Sequence, residues 1–480
     1  MKLILIDPPG PVKGFNSGLG YISSQLSKVG KIDVKVIDLN NNPYNSKKRL
    51  ARIDEVGPDI IGISLKSHVL RSAVSLAQRY KKPKTILIAG GAEVTLERER
   101  FLHENRLFDF CFAGEAERSL QDFIRCVIDK KDVSGIKGLG YRDRSGKVVL
   151  NDLDVIENLD ELPFPDYSRF DSVAYIKEKY PLVTSRGCPY RCSYCVVGKV
   201  SGTQWRFRSP DSIVEELIYA QRDYGIRGFE VVDDNFTMDI GRAKELCRSI
   251  INKRLSLRWR CINGIRADRT DDELFKLMHL SGCEAIWFGI ETLNYELFER
   301  INKGEKIEAV IDAARLARKN NIAVSGFFII GLPGSTRKID EESLAASKKL
   351  KLEEALWSLA TPMPHTEMAD WVKKNARILR DYRDASFFKL PQPVFDTPGY
   401  PERERIEMFY KANVASRCYS AFFPEKIGIS DLLNFILILL KYDLVHIFNH
   451  MATILFMRYR RKHIKEALRR IFVKRWIIKN

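Results

Sequence analysis

Six short runs rich in apolar and β-branched residues, at 182–185, 228–232, 259–264, 285–289, 324–330 and 355–360, constrain the fold of this chain more than any other feature. Helical stretches separate them, and strands joined through single helices pair in parallel and curl into a barrel. Six units fall short of a complete eight-stranded barrel, so the spacing predicts a partial (β/α)6 TIM-like barrel open on one side. An earlier series, at 3–7, 34–38, 60–65, 85–89 and 110–113, alternates in the same way and predicts a doubly wound, Rossmann-like parallel sheet. Helix starts are legible too. Ser209 before Pro210 reads as an N-cap with a first-turn proline, and Thr270 with Glu273 as a capping box.

The fold class is therefore α/β, in four parts: a Rossmann-like sheet at 1–137, an irregular Gly-, Pro- and Asp-rich linker at 138–171, the partial barrel at 172–375, and a helical C-terminal region at 376–480. Ligands of a doubly wound sheet sit beyond the carboxyl ends of its strands. Those ends carry Asp7-Pro8-Pro9-Gly10, Ser64, Gly90-Gly91 and Gly114-Glu115, whose glycines permit close backbone approach. Tight turns are needed there in any such sheet, so the pattern alone does not name a ligand.

At the head of the barrel stand Cys188, Cys192 and Cys195, spaced Cys-x-x-x-Cys-x-x-Cys. Three thiolates can hold three irons of a cubane cluster and leave the fourth open to a small chelating ligand, whereas an electron-carrying cluster normally takes four cysteines. Zinc is the competing reading, but the nearest histidines, His103 and His279, form no second knuckle. The other six of the nine cysteines are scattered and make no disulfide framework, and the N-terminus opens on a strand-like run without signal-peptide character. A reducing cytoplasm is the expected location.

The formal net charge of +17 is concentrated at the C-terminal end, where ten of residues 458–479 are Lys or Arg against the single acidic Glu466. Apolar runs at 432–440, 444–448 and 454–457 precede and enter this stretch, interrupted by Lys441 and Asp443. A spanning helix needs about twenty largely apolar residues. The interrupted pattern reads instead as a packed terminal helix or as an interfacial helix drawn to anionic headgroups, peripheral at the inner membrane surface. Nucleic acid is not the expected partner.

Taken together, the cysteine loop with Tyr194, Asp233-Asp234-Asn235-Phe236, Gly289-Ile290-Glu291 and Gly331-Leu332-Pro333-Gly334 resemble the cobalamin-binding radical S-adenosylmethionine (SAM) family over about residues 1–375, a sheet domain preceding the barrel through Asn158-Leu159-Asp160-Glu161-Leu162-Pro163. The resemblance implies a 4Fe-4S cluster on Cys188, Cys192 and Cys195, with the SAM amine and carboxylate on the open iron. It implies SAM contacts from Tyr194, Asp233, Arg266, Glu291, Gly331 and Pro333, and cobalamin contacts from Ser64, Gly90, Gly91, Thr95, Gly114 and Glu115. Arg227-Gly228-Phe229-Glu230 departs from the family's Gly-Gly-Glu pattern, and no Asp-x-His-x-x-Gly loop is present, so cobalt would lack a histidine on its lower face. Reductive SAM cleavage and methyl transfer to an unactivated carbon of a hydrophobic or lipid-like substrate is the implied reaction, supplied by a low-potential electron donor of ferredoxin or flavodoxin type. Radical cyclisation, rearrangement or C–C coupling, RNA modification, and a noncatalytic iron-sulfur sensor or carrier stand as alternatives.

Overall fold

The computed structural model describes residues 1–10, 13–41, 46–385 and 391–416, with the single residues 418, 437 and 441. The basic stretch at 458–480 lies outside the described residues, as do the apolar runs before it apart from Leu437. No helix among the described residues is long and apolar enough to cross a membrane.

The N-terminal sheet is built from β1 (Lys2–Asp7), β2 (Asp33–Asp38), β3 (Ile60–Ser64), β4 (Ile86–Gly90), β5 (Phe110–Phe112), β6 (Leu139–Arg142) and β7 (Val148–Leu150), in the order β2-β1-β3-β4-β5-β6-β7. The first five strands are parallel. Alternate residues of β1 go to opposite faces. Leu3 and Leu5 join one core with Leu19, Leu26 and Phe123, while Ile4 and Ile6 join another with Ile53, Leu70 and Phe101. Burial on both faces is why these strands read as unbroken apolar runs. The order 2-1-3-4-5 reverses direction between β1 and β3, the switch point at which such sheets bind ligands.

β6 and β7 correct the expectation of an irregular linker, since they extend the sheet antiparallel through a turn at 143–147. Asp143 Oδ1 accepts from the Ser145 and Lys147 amides, so the turn-forming Asp, Ser and Gly that suggested a linker close a hairpin instead. Farther on, Tyr167 packs edge-on against Phe15 and Tyr180, and Phe170 lies tilted against Phe15, tying the two main sheets into one core.

The barrel strands are β8 (Tyr180–Leu182), then β11 to β15 after a two-stranded ribbon of β9 (Ser185–Arg186) and β10 (Arg206–Phe207). These are β11 (Gly228–Val231), β12 (Arg258–Ile265), β13 (Cys283–Glu291), β14 (Ala323–Ile330) and β15 (Ala355–Leu359), all parallel in the order β8-β11-β12-β13-β14-β15. Ser209 caps the helix Pro210–Tyr224 as expected. Asp271, rather than Thr270, caps Asp272–Leu280, because its carboxylate accepts from the Leu274 amide while Glu273 turns to Lys244 and Arg248. Beyond the barrel, β16 (Arg377–Ile378) pairs antiparallel with β17 (Phe395–Asp396), and the helix Glu402–Ala415 packs on β15. The region after 375 is therefore not purely helical.

Candidate functional site

The cysteine loop hangs from the β9–β10 ribbon. Gly187 has φ +84°, and a Cβ there would run into the carbonyls of Gln204 and Gly202, so only glycine lets the chain enter the loop. Its amide donates to Asp234 Oδ2 at 3.0 Å, and the Cys188 amide donates to the Gly202 carbonyl at 3.1 Å. At the far end, the Ser193 amide donates to Ile301 O and the Cys195 amide to Cys192 O. Asn235 Nδ2 lies 3.8 Å from Cys188 Sγ.

Burial, reinforced by the neighbouring Cys195 and opposed by Lys303, pushes the Cys192 thiol up to about 12. Crowded thiolates of this kind stay charged together only against a cationic centre. No group of three or more His, Cys, Asp or Glu among the described residues converges on a single ion.

Tyr194 and Glu291 meet beside the loop, with the phenol donating to Glu291 Oε1 at 2.8 Å. Glu291 ends β13 at φ +64°, a conformation costly for a side-chain-bearing residue, at a register shift against β14. A Cβ on Gly289 would lie 2.6 Å from Glu291 Oε1, so the glycine two residues earlier makes room for the carboxylate to fold back. Burial raises the Glu291 pKa, with Lys303 and Tyr194 opposing. A buried carboxylate with spare acceptor capacity suits an ammonium or ribose hydroxyls.

Three other residues expected to touch SAM are committed to the scaffold. Asp233 accepts from the Thr184 amide at 2.6 Å, the Thr184 hydroxyl at 2.5 Å and the Ser185 hydroxyl at 2.7 Å, locking the corner between β8 and β9. Arg266 pairs with Asp268, donates to the carbonyls of Lys303 and Gly304, and lies 3.5 Å over the Tyr190 ring. Its donors are shared between the Asp268 carboxylate and the carbonyls of the loop at 303–304. Gly331, at φ +76°, donates to Asp340 Oδ2 and accepts from Arg405, each at 2.9 Å. The turn it shares with Pro333 is thereby clamped by the C-terminal helix.

The expected cobalamin residues come together. Ser64, Gly90, Gly91, Thr95, Gly114 and Glu115 all line one cavity of about 440 Å3 beyond the carboxyl ends of β3, β4 and β5. Ser185, Arg186 and Asp234, from the ribbon and the Asp-Asp turn, close its other wall. Gly91 at φ +104° is forced, because a Cβ would lie 2.7 Å from the Leu65 carbonyl. Thr95 is structural, its hydroxyl donating to Gly91 O and accepting from the Gly114 amide. Near this end Asn16 donates to Asp7 and Ser64 at 2.9 Å each, and the buried Asp7 Oδ2 has no hydrogen-bond partner among the described residues.

Glu115 is occupied by protein. Arg186 Nη1 and Arg206 Nη1 donate to it at 2.9 Å each, and the Ile156 amide at 2.7 Å. Burial raises its pKa, but the two guanidinium groups outweigh that and hold it below the usual range. Sequence reasoning missed both arginines. Their signal was position, since they are cross-strand neighbours at the stem of the cysteine loop.

Comparison with known proteins agrees with this arrangement. The radical SAM superfamily model matches residues 182–346, and the B12 binding domain model matches residues 11–124. An uncharacterized methyltransferase, PH0819, of Pyrococcus horikoshii is 30% identical over 430 residues, covering 86% of this chain and 92% of its own. The cytidylyl-2-hydroxyethylphosphonate methyltransferase of Streptomyces wedmorensis is 27% identical over 498 residues, covering 88% and 92%. Among solved structures, the radical SAM methyltransferase TsrM of Kitasatospora setae, with cobalamin and a 4Fe-4S cluster bound, superposes with a TM-score of 0.63 at 21% identity over 76% of each chain. That last likeness establishes a shared fold. The chain belongs to the cobalamin-binding radical SAM family, whose enzymes use a 4Fe-4S cluster, SAM and cobalamin. Within it, the chain is similar to the methyltransferase branch.

Proposed function

We propose that the chain is a cobalamin-dependent radical SAM methyltransferase that modifies an unactivated carbon of a hydrophobic substrate. The observation that carries this reading is the adjacency of the two sites: the ribbon that holds Cys188, Cys192 and Cys195 also walls the cavity lined by Ser64, Gly90, Gly91 and Gly114. When bound, the cluster and SAM supply radical generation and the corrinoid supplies methyl carriage. The chain's own residues do the rest. The three thiolates hold iron, and Glu291 and Tyr194 orient the amine or ribose end of SAM.

The substrate class rests on the concave face of the barrel. Phe288 and Phe328 pack outward into the helix-covered core, whereas the alternating Ile262, Trp287 and Phe327 are only half-buried and lie on the other face. Aromatic and aliphatic side chains left half-open along neighbouring strands favour an apolar guest. The composition of residues 430–480 supports a cytoplasmic enzyme peripheral to an anionic membrane, where such guests reside. Loss of liposome cosedimentation on deleting those residues tests the membrane contact.

Anaerobic incubation of the reconstituted protein with SAM and a low-potential reductant is expected to yield both 5′-deoxyadenosine and S-adenosylhomocysteine. 5′-Deoxyadenosine alone, with corrinoid bound, favours cyclisation or rearrangement, a reading drawn from relatives that are anaerobic magnesium-protoporphyrin IX monomethyl ester cyclases. Neither product would exclude radical chemistry as the function.

A further inference from the structure

Glu115 stands at the meeting point of the two cofactor sites. It follows Gly114, which turns at φ +76° beyond β5, and it lines the cavity. Yet every strong donor it meets belongs to the segment that carries the cysteines or to the adjoining linker. Arg186 donates to Glu115 at 2.9 Å and to Glu117 at 2.6 Å; it stands two residues before Cys188. Arg206, its partner across the β9–β10 ribbon, adds two bonds to Glu115 at 2.9 and 3.0 Å. Arg206 also donates to Ile156 O at 2.7 Å and to Ser201 O at 3.2 Å, so it spans linker, ribbon and the turn behind the cysteine loop.

The two guanidinium groups are nearly buried, and Arg186 is further confined 5.3 Å over the Tyr21 ring. Charge-assisted bonds in such a dry setting are short and directional. The loop at 114–116 therefore cannot shift to admit a corrinoid without pulling on the ribbon that fixes Gly187 and Cys188. Conversely, an ordered cysteine loop holds both arginines in place and pre-forms the cavity wall.

We infer that Glu115, through Arg186 and Arg206, is a positioning residue that couples occupancy of the corrinoid cavity to the state of the cysteine loop. This rests on the corrinoid reading of the cavity. Coupling between two sites is reciprocal, so a filled cysteine loop tightens corrinoid binding by the same factor by which corrinoid stabilises the filled loop.

The test measures hydroxocobalamin affinity of the full chain by absorbance titration, in cluster-loaded and chelator-stripped protein, for the wild type, Glu115→Gln and Arg206→Lys. A thermal melt of each variant verifies that it is folded. The loaded wild type is expected to bind at least about fivefold more tightly than the stripped form. Glu115→Gln keeps the shape of the side chain but removes its charge, and is expected to bring the loaded-to-stripped ratio to about one; Arg206→Lys, which loses the fork, is expected to fall between. A ratio that stays the same in wild type and Glu115→Gln, even with both affinities weakened, would mean a merely structural residue and overturns the inference. Failure of hydroxocobalamin to bind either wild-type form overturns the corrinoid reading itself.

Discussion

Arg383 closes a clasp that binds the segment after the barrel to the helix forming one edge of the cavity. Its guanidinium, 13% exposed, meets Glu93 at 2.6 Å and Glu97 at 3.2 Å, whose carboxylates are 0% and 3% exposed. Arg383→Met takes away the guanidinium that both acids share and leaves Glu97 only the more exposed Arg100 at 3.4 Å as an ion partner among the described residues. Breaking a buried ion pair by removing one partner costs about 3–5 kcal/mol. Tyr382 still donates its one phenol proton to Glu97 at 2.7 Å, with Glu93 3.1 Å away, which puts the expected cost at the low end, about 3 kcal/mol. Because the contact joins two segments, the loss falls on local opening of the helix Ala92–Glu97. Three kcal/mol is about a hundredfold or slightly more in the rate of amide exchange from that helix. Adding Glu93→Gln and Glu97→Gln removes the stranded charges and is expected to restore protection to within about tenfold. Native-state hydrogen exchange reads all three proteins. Unchanged exchange in Arg383→Met, or no recovery in the triple variant, refutes the electrostatic account of the clasp.

Other substitutions separate the two cofactor sites. Gly187→Ala drives a Cβ into backbone carbonyls at a positive φ, and is expected to cut iron and sulfide per chain after reconstitution to below about half of wild type while corrinoid affinity falls less. Gly91→Ala meets the Leu65 carbonyl at 2.7 Å and should weaken hydroxocobalamin binding at least about tenfold with full iron content. Asp340 offers a pH test: burial raises its pKa from 3.8 to about 6, against the Ser335 and Gly331 hydrogen bonds. The folded state therefore holds a proton that the unfolded state has released. Stability from this group is full below pH 3.8 and is lost as pH rises through 6, on the order of 3 kcal/mol. Denaturation midpoints of Asp340→Asn should lack that component of the slope between pH 4 and 6.5.

The strands were legible because parallel strands buried on both faces are written as apolar runs bounded by turns: β1 through β5 and the last five barrel strands fall on such runs, whereas β8 lies at Tyr180–Leu182, upstream of the run at 182–185, whose end enters the β9–β10 ribbon. The β6–β7 hairpin was missed because Asp143, Ser145 and Gly146 make a turn with the same residues that make linkers. Site residues divide similarly. Topology places the ends of β3, β4 and β5 side by side whatever the side chains, so Ser64, Gly90 and Gly114 could be read together. The roles of Asp233, Arg266 and Glu115 depend on Thr184, Lys303 and Arg206, which are tens of residues away in the chain, and no local pattern announces such partners. The Tyr382–Arg383 clasp has the same origin.

The most direct measurement is cofactor analysis and electron paramagnetic resonance of the full chain, purified and reconstituted without oxygen. The account expects about four irons per chain on three cysteines, a reduced-cluster spectrum that changes when SAM is added, and a corrinoid retained in stoichiometric amount. A protein that binds no cluster, or holds one on four side-chain ligands with a spectrum indifferent to SAM, would contradict it.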